Sequence, residues 1–187
     1  MIATPVIDWL ITNGRLSGNA GSLTADFAEQ CLAAGIPLSR VRVVLLVLHP
    51  QDVSFLLTWL RGQGVEEIKI PPDTYPELLR TSPLQPLAVG AKEVRHRLCD
   101  EPTFDIELLN TLKAQGHTDY IAQLLPTADG TRSRAIVYVT DHEMGFTDAH
   151  IEALRQIQPI LALVTEVHAQ AQRARTLLDT YIGKRTG

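Results

Sequence analysis

Cysteine is scarce in this chain: Cys31 and Cys99 lie far apart, and neither has a second thiol close by. That spacing excludes a disulfide framework and a paired-cysteine metal or redox motif, and it implies a reducing, cytoplasmic setting. Long hydrophobic runs are lacking too. The longest, Val43 to Leu48, falls far short of the roughly 20 residues a membrane-crossing helix needs, so it reads as a buried strand. The first ten residues have no basic start and are interrupted by Asp8, which does not suit a signal peptide. Positive charge is also short, with 17 Lys+Arg against 21 Asp+Glu and a net charge of -4. The general attraction to a phosphate backbone is therefore missing. The small clusters Arg95-His96-Arg97 and Arg173-Ala174-Arg175 read as solvated faces, so neither a nucleic acid nor a membrane is expected as a partner.

What the chain does have is enough apolar material for one core: 187 residues, 45% of them hydrophobic. Thr4-Pro5 predicts a helix start, a side-chain cap followed by a proline whose missing N–H costs nothing there, and the helix should run to Gly14. Val6, Ile7, Leu10 and Ile11 form its apolar stripe. After a Gly/Ser/Asn-rich link from Ser17 to Ser22, a second helix is expected from about Leu23 to Ala34, with Gly35 as its stop. Cys31 falls on its apolar side and reads as a small buried hydrophobe.

The period then changes to two. Val41–Leu48, Ser54–Arg61 and Val65–Ile70 are β-rich runs separated by short breaks, the pattern of an antiparallel meander. Between Pro71 and Gly90 five prolines predict irregular structure with short helical turns, a common place for a pocket or lid. Ala91–Leu98 reads as a short strand and Phe104–Gln115 as a helix stopped by Gly116. Asp119–Leu125 and Arg134–Thr140 read as strands flanking a hairpin turn at Asp129-Gly130.

The last segment is the longest. Thr147 should cap a helix whose apolar pattern continues to Gly183, with Pro159 expected to bend or divide it. Beyond that proline, Ile160, Val164, Val167, Ala171, Ala174, Leu178 and Tyr181 alternate steps of four and three, the spacing of a coiled-coil seam. A homodimer is expected, held by Val6, Leu10, Ile160, Val164, Val167, Ala171, Ala174 and Leu178. The stretch Ile160–Val167 could equally pack on its own domain's sheet.

Pro126, Asp129-Gly130 and Gly145-Phe146-Thr147 occur in the order in which the closing half of a GAF domain places them, and Ser82-Pro83-Leu84 follows the third strand as its first half does. Residues 20–168 thus resemble a GAF domain. That resemblance implies an α+β fold: a central antiparallel sheet of five or six strands, helices packed on it, and a long C-terminal helix. Narrower matches lie at Val6–Leu10, Ala33–Leu38 with Arg40 and Val43, Leu48-His49-Pro50, Thr118-Asp119-Tyr120 and Leu177–Gly183. These resemble the GAF-like region preceding the catalytic domain of bacterial class III adenylate/guanylate cyclases. On that likeness residues 1–168 form a sensory domain with an N-terminal dimerisation helix. Residues 169–187 form a signalling helix toward a cyclase domain, the implied partner.

Chemistry is sparse. Asp141–Thr147 resembles a cyclase metal segment only out of register, with His142 where the metal aspartate belongs. Asp141, His142, Glu143 and His150 offer no tight pair at helical spacing, so no metal site is assigned. No serine sits in a nucleophile elbow, and no catalytic residue is assigned. Among GAF ligand types, sulfoxide reduction would need more cysteines, bilin attachment a Cys-His pair where Cys99 is followed by Asp100, and cyclic-nucleotide binding a signature that is not apparent. No cofactor is expected. What remains is a small-molecule pocket between sheet and proline-rich segment, with Trp59, Tyr75, Arg95, His96, Asp119 and Tyr120 as candidates. Two other readings stay open: a free-standing enzyme on a GAF scaffold, and a constitutive dimerisation domain without a ligand.

Overall fold

The computed structural model describes residues 1–45, 54–71, 73–128, 130 and 134–183, without the side chains of Tyr75, Gln172, Arg173 and residues 175–183. Two three-stranded meanders are joined edge to edge into one antiparallel sheet. β1 (Arg40–Leu45), β2 (Ser54–Leu60) and β3 (Gly64–Ile70) make the first; β4 (Glu93–Arg97), β5 (Asp119–Leu124) and β6 (Arg134–Thr140) make the second. β1 pairs with β6, which gives the order β3-β2-β1-β6-β5-β4. Residues 46–48, the expected end of the first strand, lie outside the described residues, as do the break at His49-Pro50 and Asp129 of the expected hairpin. Gly130 has φ +72° and donates its N–H to the Thr127 carbonyl.

One face of the sheet carries three helices. α1 (Ala3–Thr12), α2 (Ala20–Ala33) and α6 (Asp148–Gly183) bury Val6, Leu10, Phe27, Cys31, Leu154 and Ile157 against Val41, Val43, Leu57, Trp59, Ile136 and Tyr138. These strand residues alternate along their strands, as a half-covered sheet requires. Burial pushes the Cys31 thiol far above its usual range, in keeping with a packing role. The opposite face carries only short helices, α3 (Tyr75–Arg80), α4 (Gln85–Ala88) and α5 (Glu107–Ala114). Among the described residues no helix is long and apolar enough to cross a membrane.

Several boundaries differ from expectation, for local reasons. α1 begins one residue before Thr4 and has no side-chain cap, and a 3-10 turn at Gly14–Leu16 follows it. α2 begins inside the polar link, because the Asn19 side chain caps it by accepting the Ser22 N–H at 2.8 Å. α5 begins after Phe104, whose N–H and carbonyl are both bound by the Asn110 side chain at 2.8 Å. Thr147 does cap α6, its hydroxyl accepting the His150 N–H at 3.3 Å. α6 runs through Pro159 without dividing; the proline is exposed, so its ring meets water rather than the core.

The expected dimer residues are corrected in part. Val6 and Leu10 are fully buried, and Val164 is 7% exposed, all within this chain's own core. Val6 and Leu10 have found their partner surface in α2 and α6 and are not available to a second copy, whereas Ile11 of the expected stripe stays 50% exposed. Ile160 is half-buried against the same core. Val167, Ala171 and Ala174 are exposed, and the side chain of Leu178 lies outside the described residues.

Candidate functional site

The face with short helices does not close. Between the sheet and α3, α4 and α5 lies a hollow of about 760 Å³, within the usual range for small-molecule sites. The covering helices are short: α3 has six residues and α4 four, with Pro76 and Pro86 in their first turns. Helices that short cover little area. The walls are Val44, Leu56, Leu84, Leu87, Leu112 and Val137, with the Tyr120 ring on one side.

The floor is less ordinary. β1 reads Arg40-Val41-Arg42-Val43, and the valines face the three-helix core, so strand alternation turns both arginines toward the hollow. Arg42 donates from Nε to Thr58 Oγ1 on β2 at 2.9 Å. Among the described residues neither guanidinium is ion-paired with a carboxylate. Burial, with the Arg40 charge adding to it, pushes the Arg42 guanidinium down to about 10. Arg40 is lowered in the same direction, again by burial. Burial raises the Tyr120 phenol, and the nearby Arg42 and Arg40 charges partly offset the rise, so it remains a neutral hydroxyl beside two cations.

Across the sheet, a second polar cluster ties the strands to α6. Asp119 on β5 is fully buried; it accepts from Arg95 Nη2 at 2.7 Å and from the Phe146 N–H at 3.0 Å. Arg95 also donates to the Phe146 carbonyl at 2.9 Å. Gly145 makes this approach possible: its φ is +67°, and a Cβ there would lie 2.7 Å from Asp119 Oδ2. Farther along α6, Arg155 pairs with Glu93 at 2.7 Å and Arg134 with Glu166 at 3.1 Å.

No protein-family model matches the chain, and no curated protein sequence matches it. Solved structures do. The phycocyanobilin-bound GAF domain from a cyanobacterial phytochrome superposes with a TM-score of 0.62 at 13% identity, over 90% of this chain and 96% of that one. The GAF domain from an Acinetobacter phosphoenolpyruvate-protein phosphotransferase gives 0.62 at 10% identity, over 94% and 98%. This chain has a GAF-like fold. The GAF domain of a two-component sensor histidine kinase from Bacillus halodurans gives 0.53 at 13% identity, over 84% and 91%.

Within this GAF-like fold the expected pocket residues divide between the two faces. Tyr120 lines the hollow. His96 stands beside it, its ring 5.9 Å from Tyr120 and 6.1 Å from Phe104. Burial holds the imidazole below its usual range. Trp59 is a core residue of the three-helix face, and Arg95 and Asp119 form the latch to α6, so these three are corrected as pocket residues. The side chain of Tyr75 lies outside the described residues.

Arg40 and Arg42 are the functional candidates that the pocket expectation missed. Their signal was present, since two arginines at alternate positions of an otherwise apolar central strand must share a face. The fold also joins Ser39 and His117, Oγ to Nδ1 at 3.0 Å, next to a smaller hollow of about 360 Å³. The hydroxyl donates to the Val139 carbonyl at 3.0 Å. The ring nitrogen then faces an oxygen whose proton is already committed, the reverse of the arrangement that activates a serine. Asp141 is paired with Arg61 and does not orient the ring. Among the described residues no group of three or more His, Cys, Asp or Glu side chains could hold a metal.

Proposed function

We propose that this chain is a regulatory sensory module. A small molecule enters the hollow, the sheet adjusts, and α6 carries the change to a class III nucleotide cyclase domain. The observation that carries this reading is the placement of hollow and helix on opposite faces of the same strands. β6 presents Ala135, Val137 and Val139 to the hollow and Ile136 and Tyr138 to the core beneath α6. A ligand that spreads or tightens these strands therefore acts on the seat of α6 through the Asp119, Glu93 and Arg134 links. Such a ligand shifts the helix only if it binds the two packings unequally.

The cyclase as output rests on the likeness of residues 6–10, 33–38, 118–120 and 177–183 to the region preceding such catalytic domains. Class III active sites form between two catalytic chains, so the reading calls for two modules side by side. Leu163 at 64% and Val167 at 57% exposed offer the apolar face for that pairing, beside Leu16 of the 3-10 turn. The assigned role is regulatory, with no catalytic step in this chain.

Native mass spectrometry of the purified protein, followed by hydrogen exchange with and without the recovered molecule, tests the reading. Amides of residues 148–166 should change protection when the hollow is filled. Unchanged exchange along α6 on filling would reduce the chain to a passive module. Light scattering at high micromolar concentration should give a dimer, and a monomer would remove the paired-helix part.

A further inference from the structure

The hollow is too unusual electrostatically for a plain apolar ligand. Even partial burial of a guanidinium with no carboxylate in ion-pair contact costs free energy, and Arg40 and Arg42 are both half-buried. Here two share one strand face at alternate positions, Arg40 and Arg42, where their charges oppose each other. Thr58 supplies one neutral acceptor. Glu66 lies in register with Thr58, which is in register with Arg42, so it stands two strands away; its charge offsets part of the cost of burial for both arginines, but among the described residues it forms no ion pair with either. Asp105 and Glu107 also border the hollow but are exposed at its rim. Arg80, at the same rim, is engaged by Glu77.

A hollow with a cationic floor and aliphatic walls selects for a matching molecule. We propose that the ligand of this site is an oxyanion on an apolar body, a carboxylate or phosphate head seated between Arg40, Arg42 and the Tyr120 hydroxyl, with an acyl-like tail along Leu56, Leu87 and Val137. This deepens the sensory reading and rests on it. Arginine suits the task because its planar fork meets a carboxylate or phosphate with two parallel bonds, and it remains charged when partly buried. Tyr120, kept neutral, adds a donor without adding a competing anion. The volume of about 760 Å³ leaves room for a tail well beyond the head group. With an anionic head between the two cations, ligand entry would reduce the repulsion between Arg40 and Arg42, and that change acts on β1 and so on its neighbour β6.

Isothermal titration of the whole chain with decanoate, decyl phosphate and 1-decanol separates head from tail. The expected result is that either anion binds about tenfold or more tighter than decanol, the scale of one charge-assisted contact. Arg42→Met should bring anion affinity down toward that of decanol and leave decanol unchanged, while circular dichroism confirms that the variant is folded. Arg40→Met provides the second test, with a loss in the same direction. If decanol binds as tightly as the anions, or if both variants keep full anion affinity, the oxyanion assignment is overturned while the hollow remains a ligand site. If none of the three amphiphiles binds a folded protein, the sensory reading of the hollow falls with it.

Discussion

On the face covered by α1, α2 and α6, β1 contributes Val41 and Val43; on the other face the same strand contributes Arg40 and Arg42. The covering elements differ as well. The apolar face meets long helices whose stripes reach across the sheet, and Phe27, Leu154 and Tyr138 pack there with no exposed surface. The arginine face meets helices of six, four and eight residues, and the space they fail to fill is the hollow. Alternation alone therefore lets one strand present an apolar, closely packed side and a cationic side that faces open space. The difference also separates the roles of the polar clusters. Arg95 and Asp119 have each other and the Phe146 backbone, so their chemistry is satisfied internally. Among the described residues Arg40 and Arg42 have no carboxylate in ion-pair contact, only Thr58 on Arg42 and the more distant Glu66 charge, which makes them candidates for an external partner.

The largest expected effect tests the contrast in packing. Phe27→Ala removes a fully buried ring from the closed face and should lower stability by about 4 kcal/mol. Leu84→Ala enlarges a space that is already open and should cost about 1 kcal/mol. Urea unfolding of the two variants checks this; equal losses would mean that the second face is packed as tightly as the first.

Next in size is Gly145→Ala, which probes the latch. Both the left-handed backbone and the contact with Asp119 oppose a methyl there, because Arg95 and the Phe146 N–H hold the carboxylate in place. A loss of about 2 kcal/mol is expected from the same unfolding measurement. A neutral substitution would show that the start of α6 is not fixed by this approach.

The smallest expected effect is a pH dependence. His96, His117 and His150 are each lowered from 6.5, burial being the first cause in every case. Below pH 6.5 the unfolded chain therefore binds more protons than the folded one, so stability should fall as pH drops from 6.5 through the folded values. Urea midpoints at pH 7.5 and 5.5 should show a modest decrease, and His96→Gln should make it smaller. A higher midpoint at the lower pH would reverse the assignment of burial as the dominant cause.

Strand and helix identities were readable from the amino-acid order because they depend on local period. Val41, Val43 and Leu45 alternate, Val6 and Leu10 recur at helical spacing, and Gly35 and Gly116 stop helices by adopting φ near +90°. The start of α5 was not readable, since it depends on Asn110 folding back on Phe104. The candidate site was legible only in part. Tyr120 does line the hollow, whereas Trp59, Arg95 and Asp119 were expected there and belong to the other face. Within one strand, alternation says which residues share a side. It does not say which side carries the long helices.

The amino-acid order was enough for the succession of helices and strands, the long terminal helix and the paired arginines of β1, because each follows from interactions a few residues apart; the α+β class came from the likeness to GAF domains. Long-range packing alone joins the two meanders through β1 and β6, buries Val6, Leu10 and Val164 together between α1 and α6, and leaves the arginines as the floor of an unfilled space. Those outcomes depend on register and packing between distant segments, where a shift of one residue would exchange the two faces of a strand.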